Sequence, residues 1–115
     1  MIEVERVYSS RVHKGGKRFL VDRLWPRGIK KEKLHLDTWL RDVAPSNNLR
    51  SRFHHDPNKW DEFKRFYFSE LDQNPDSWKP ILDAARKQNV TLLYSAKDEI
   101  HNNAVALKTY LDSKL

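Results

Sequence analysis

Apolar and polar positions alternate strictly at the start of the chain. Ile2-Glu3-Val4-Glu5-Arg6-Val7-Tyr8 reads as a strand. Ser9 to Lys17 is polar and holds Gly15-Gly16, the composition of a loop or hairpin tip. Arg18 to Trp25 predicts a second, more buried strand, closed by the turn residues Pro26-Arg27-Gly28. Leu36 to Val43 fits strand or helix, and strand is preferred. Helical spacing then takes over. Ser46 is a candidate N-cap for a short helix carrying Leu49 and Phe53 on one face. Asp56-Pro57 starts a longer helix with Trp60, Phe63, Tyr67 and Leu71 as its stripe. Asn74-Pro75 repeats that start signal ahead of Trp78, Ile81, Leu82 and Ala85. Pro80 requires an irregular first turn or a later start there. Asn89 suggests a left-handed cap before Val90-Thr91-Leu92-Leu93-Tyr94, an uninterrupted run expected of a central parallel strand.

The most informative stretch follows that run. The apolar pattern stops at Tyr94, Ser95 to Asn103 is mostly polar, and a last helix follows with Ile100, Ala104, Leu107 and Leu111 on its inner face. Ser95 and Asp98 have the spacing of a capping box. Strands first, then helices, then a strand and a helix predict one compact α/β domain, a small mostly parallel or mixed sheet with helices packed on it. In such sheets ligands bind beyond the carboxyl ends of the strands, so the segment after Tyr94 is where function is sought.

Length and composition narrow the picture. The 115 residues suit a single domain, and 4 Trp, 5 Phe and 4 Tyr supply a ring-rich core. Cysteine is absent, which excludes disulfides, thiolate metal sites and thiol nucleophiles. No apolar stretch approaches a membrane span, and the N-terminus lacks the form of a secretory signal, so a cytoplasmic protein without a membrane partner is expected. The net charge of +6 is uneven. Residues 1–52 hold 13 Lys/Arg against 6 Asp/Glu, and the remainder is close to balance. This asymmetry points to an anionic partner, or else to a merely solvated basic surface.

Three groups of residues carry candidate chemistry. After the last strand, Ser95, Lys97 and Asn102 are placed to bind an anion at a helix N-terminus. Asp98 and His101, three apart, form a possible acid–base pair, against the plain alternative of a helix cap with a bystander histidine. After the second strand, Arg23 and Arg27 flank Trp25-Pro26. Guanidinium forks hold carboxylates or phosphates, and an indole gives a flat face. For Asp22 and Trp25 a structural role is preferred, for the two arginines a ligand. His54-His55-Asp56 with His101 makes a poor metal site, because adjacent histidines seldom point the same way and Asp56 is explained as a cap. His55 is preferred as a pocket-lining residue. Lys30-Lys31-Glu32-Lys33 with Arg50 and Arg52 offers charge to nucleic acid, but no recognised binding motif accompanies it.

Together, Val21-Asp22-Arg23-Leu24-Trp25-Pro26-Arg27-Gly28, Trp39 to Ser46, His55-Asp56-Pro57 and Leu92 to Ala104 resemble the YeaO-like family, a domain-of-unknown-function group of small bacterial proteins. The resemblance spans nearly the whole chain. It implies an α/β fold, supplies no established activity and no cofactor, and singles out Asp22, Arg23, Trp25, Arg27, Gly28, His55, Asp56, Asp98, His101, Asn102 and Asn103. This chain departs from the common pattern at His54, where glycine is usual. More distant relatives carry Cys-His-Arg where this chain has Asn102-Asn103-Ala104, and thiol chemistry there would be closed to it. Three expectations result. The first is a pocket for an anionic small molecule, either purely binding or enzymatic, with His101, Asp98 or His55 as acid or base and Arg23, Trp25, Arg27, Ser95, Lys97 and Asn102 as ligand contacts. The alternatives are a nucleic-acid-binding or regulatory accessory protein, and a structural interaction module. The first requires the early arginines and the late histidine to share one cavity.

Overall fold

The run Val90–Tyr94 forms β4 and is flanked on both edges, which is why it needs no polar alternation. The computed structural model describes residues 1–9 and 15–115. Its strands are β1 (Ile2–Arg6), β2 (Lys17–Leu20), β3 (Thr38–Trp39) and β4, in the order β1-β4-β2-β3 with every pair parallel. The helices are α1 (Lys31–Leu34), α2 (Asn47–Phe53), α3 (Trp60–Gln73), α4 (Lys79–Ala85) and α5 (Asn103–Asp112). The chain thus has the expected α/β fold.

Side chains of period two divide the core between the faces of the sheet. Ile2, Phe19, Val90, Leu92 and Tyr94 pack into the large cluster under α2–α5, with Phe63, Tyr67 and Leu71 of α3 and Leu107 and Leu111 of α5. Leu20 and Leu93 point the other way, into a smaller cluster with Val7 and Leu34 covered by Trp25, Ile29, Leu36 and Trp39. Lys31 and Lys33 lie on α1, whose Leu34 packs in the smaller cluster, and Arg50 and Arg52 lie on α2, whose Leu49 and Phe53 pack in the larger one. Among the described residues no helix is long and apolar enough to cross a membrane.

Several local expectations are corrected. The Gly15-Gly16 segment is not a hairpin tip. β1 and β2 both run parallel to β4, which lies between them; residues 10–14 of that segment lie outside the described residues. Leu36–Val43 is strand only at Thr38–Trp39. A 3-10 turn over Arg41–Val43 then swings Val43 into the large core. Asn89 is not left-handed, since among described non-glycine residues only His35, His54 and His55 have positive φ. Its carbonyl instead accepts the Lys17 N–H at 3.0 Å. The start signals at Ser46, Asp56 and Asn74-Pro75 hold, the last two through a 3-10 turn (Pro57–Lys59 and Pro75–Ser77), with Pro80 in the first turn of a later-starting α4. The capping box at Ser95 does not form. Asn102 caps α5 instead, and Ile100 lies outside the helix, 68% exposed.

Candidate functional site

Because all four strands run the same way, the loops leaving them gather along one edge, and a cavity of about 510 Å³ opens there. Arg6 and Tyr8 reach it from the end of β1. Asp22, Arg23, Leu24, Trp25, Pro26 and Arg27 follow β2, and Ala44 and Pro45 follow β3. Ser95, Ala96 and Lys97 leave β4, and Asn102 and Asn103 open α5. Arg50, Phe53, His55 and Phe63 close the side next to α2 and α3.

Asp22 holds this arrangement together. Its Oδ2 accepts from the Ser95 backbone N–H at 2.9 Å and from the Ser95 hydroxyl at 2.7 Å, and its Oδ1 accepts from Asn103 Nδ2 at 3.0 Å. Asn103 Nδ2 also donates to the Val21 carbonyl. The carboxylate therefore ties the end of β2 to the β4 loop and the start of α5, and both of its oxygens are occupied. Asn102 is buried. Its Oδ1 accepts from the Val105 N–H at 3.0 Å, and its Nδ2 donates to the Asp98 carbonyl. Asn102 and Asn103, at the start of α5, line this cation-rich cavity.

The cations are held in different ways. Arg23 Nη2 donates to the Ala44 carbonyl at 3.2 Å and to that of Pro45 at 3.5 Å, while its Nε is buried without a partner. Arg6 Nε donates to the Ala96 carbonyl at 2.8 Å, and its guanidinium lies 4.7 Å from the centre of the Tyr8 ring. The Tyr8 hydroxyl in turn donates to the Arg27 carbonyl. Arg27, Lys97 and Arg50 are exposed at the rim. Among the described residues, none of these five cations is ion-paired. Gly28, with φ +74, supplies the left-handed turn that ends the arginine loop. Trp25 is anchored by its Nε1 donating to the Ile29 carbonyl and by edge-on packing against Trp39.

Of the expected site residues, Arg23, Trp25, Arg27, Ser95, Lys97, Asn102 and His55 line this one cavity. Asp98 and His101 do not, and the expectation that the late imidazole shares it is corrected. Asp98 Oδ1 accepts the N–H groups of Ile100 and His101, each at 2.9 Å, and Oδ2 lies 2.9 Å from His101 Nδ1. The imidazole then packs near-perpendicular to the Trp60 ring. Those backbone donors, the His101 N–H first, and then the imidazole hold the Asp98 carboxyl down at about 2. The pair is a capping turn ahead of α5. The imidazole that does reach the cavity is His55, presented by consecutive left-handed residues His54 and His55, with φ of 45 and 54. Sequence reasoning missed Arg6, Tyr8 and Arg50 as lining residues. Arg6 was accessible to it, because the rule that directs attention to the end of β4 applies equally to β1.

A smaller cavity of about 190 Å³ lies on the other side of Arg23, beside Ser46, Tyr67 and Glu70. It is built for support. Glu70 accepts from the N–H and hydroxyl of Ser46, and the Tyr67 hydroxyl donates to the Val43 carbonyl at 2.5 Å. Burial, reinforced by the nearby Glu70 and Asp22, pushes the Tyr67 hydroxyl far above its ordinary range. Among the described residues no cluster of three or more His, Asp or Glu could hold a metal ion.

The family described as "Inactive DUF488-N3 subclade" matches residues 1–115. Among curated proteins, the Escherichia coli (strain K12) "Uncharacterized protein YeaO" is 45% identical over 97% of this chain and 97% of its own length. "Uncharacterized" proteins of Mycobacterium bovis and Mycobacterium tuberculosis are 46% identical over 61% of this chain and 59% of theirs. No solved structure matches. With a family match over every residue and a relative aligned almost end to end, the chain belongs to the YeaO-like DUF488 family.

Proposed function

We propose that this protein binds a small organic anion, a phosphate or carboxylate, in the strand-end pocket, and does so without acting on it. The observation that carries this reading is a charge imbalance. Among the described residues, Arg6, Arg23, Arg27, Arg50 and Lys97 line one cavity, against the single carboxylate of Asp22, whose oxygens are already committed to Ser95 and Asn103. Like charges gathered in a concave site repel one another, and an anion relieves that repulsion. Guanidinium groups also suit the planar, multi-oxygen geometry of phosphate and carboxylate. Binding rather than catalysis is favoured because the Asp98–His101 pair lies off the cavity, Asp22 is consumed as a brace, and the matched subclade is described as inactive.

Thermal unfolding of the whole chain in phosphate, sulfate and citrate, compared with sodium chloride at equal ionic strength, tests it. A ligand at 100 times its dissociation constant stabilises by about 2.7 kcal/mol. The organic or phosphate anions should raise the midpoint beyond the chloride control, and Arg27→Ala with Lys97→Ala should abolish the gain. Both side chains are exposed, so the double variant should still fold. No anion-specific shift, or an equal shift in the double variant, would sink the proposal. Tight duplex or single-strand binding with a steep salt slope would favour the nucleic-acid alternative instead.

A further inference from the structure

We infer that the anion is a phosphomonoester carried on a flat apolar body, the chemistry of a nucleoside 5′-monophosphate; this rests on the anion-binding reading and narrows it. Size is the first argument. A cavity of about 510 Å³ lies in the range used for whole organic ligands, and a bare phosphate would leave most of it to water. Charge is the second. With five cations not ion-paired against one committed carboxylate among the described residues, a dianion balances the site better than a monoanion. The third argument is the character of the mouth. Leu24 is 69% exposed and Tyr8 44% exposed, although both are large and apolar and both line the cavity. Apolar side chains left open beside a cation cluster suit a ligand that is charged at one end and apolar at the other.

The flatness of that apolar end follows from Arg6. Its guanidinium covers one face of Tyr8 at 4.7 Å and is fixed by the Ala96 carbonyl, so a planar group and a ring are already held as a stack at the rim. A heteroaromatic ring extends such a stack, gaining dispersion and cation–π attraction that a sugar or an alkyl chain does not. Phosphate would then lie deeper, towards Arg23 and the Asn102 end of α5.

Isothermal titration of the whole chain in low-salt, phosphate-free buffer separates the claims. The probes are adenosine 5′-monophosphate, ribose 5-phosphate, adenosine and inorganic phosphate. The monophosphate should bind at least tenfold more tightly than ribose 5-phosphate. Leu24→Ser, a change at an exposed position, should cut that ratio severalfold. Equal affinity for the two phosphate esters overturns the inference and leaves the anion-binding reading standing. Adenosine binding as tightly as its monophosphate, or no binding by any phosphate probe, overturns both.

Discussion

Replacing Asp22 should loosen the molecule far more than its partly exposed position suggests. The side chain receives hydrogen bonds from the Ser95 N–H, the Ser95 hydroxyl and Asn103 Nδ2, across sequence separations of 73 and 81 residues. A hydrogen bond to a charged group contributes about 1.5–3 kcal/mol. The three share one carboxylate and so do not add, and in Asp22→Ala water from the cavity can reach the abandoned donors. A loss of about 3 kcal/mol is expected, a large fraction of the roughly 5–15 kcal/mol that holds a domain folded. For this size it corresponds to a fall of about 12–15 °C in the unfolding midpoint. Asp22→Asn should fall between. Its amide oxygen still accepts from Ser95, but its NH₂ faces the Asn103 NH₂, donor to donor, and about 1.5 kcal/mol is lost. Urea unfolding, with unchanged m-values as the sign that the folded state is intact, measures both. The same Asn variant removes the only carboxylate among the described residues that line the cavity, so its affinity for phosphate should rise even as its stability falls. An Asp22→Ala loss under 1 kcal/mol, or Asn and Ala variants of equal stability, would refute the bracing role.

Three other substitutions test local physics. Gly16→Ala should destabilise by more than about 2 kcal/mol in urea, because a Cβ there would sit 2.6 Å from the Asn89 carbonyl oxygen on backbone at φ +84, and that carbonyl already receives the Lys17 N–H. His54→Gly should stabilise by about 0.5–1 kcal/mol, since it relieves a left-handed residue at an exposed helix end where glycine has no steric penalty; a neutral or negative result would mean the His54 ring contributes packing. For Asp98, whose folded carboxyl titrates near 2, the sign is that of a depressed acid. Its contribution is complete above its ordinary value near 4 and disappears as pH falls towards 2. The gap in stability between the native chain and Asp98→Ala should therefore be widest at neutral pH and shrink steadily between pH 4 and pH 2; a constant gap would show that the carboxylate charge plays no part.

Sequence pattern disclosed what is local. β4 was legible from five consecutive residues of strand-forming, mostly apolar type, α3 from one stripe of rings, and the caps at Ser46 and Asp56 from residue type alone. The strand-end rule then directed attention to Arg23, Arg27, Ser95 and Lys97, which the fold gathers round one cavity. What stayed hidden depends on partners far along the chain. β1 and β2 are close in sequence and look like a hairpin, but β4 inserts between them, and nothing within the first 20 residues encodes that. Ser95 has the spacing of a cap, but Asp22, 73 residues earlier, takes its hydroxyl and N–H. Between Asp98 and Asn102, either side chain is chemically able to begin a helix. Asp98 is used for a turn four residues ahead, and the buried amide of Asn102 wins the helix itself.

Position 102 tests the proposed binding-only reading through a single side chain. The residue there lines the cavity and stands at the start of a ten-residue helix, close to Lys97 and the arginines of the other strand ends. A thiol in that place would feel unpaired N–H dipoles and several positive charges, which favour the thiolate and so a nucleophile. An asparagine has no ionisable group, and both ends of its amide are already engaged, by Val105 and by Asp98. Asn102→Cys introduces a thiol into a chain that has no cysteine, so thiolate absorbance reports that single site. Loss of the cap and of the amide bond should cost about 1–2 kcal/mol, which leaves the domain folded. Burial pushes the thiol up and the helix start and cations pull it down. With five cations on the cavity wall the second effect should win, giving a thiol that ionises below the ordinary 8.5 or so of free cysteine and shifts upward when Lys97→Ala is added. Ionisation at or above that ordinary value, unmoved by the Lys97 change, would show that the cations do not act together on this point, and the electrostatic basis of the binding site would fall with it.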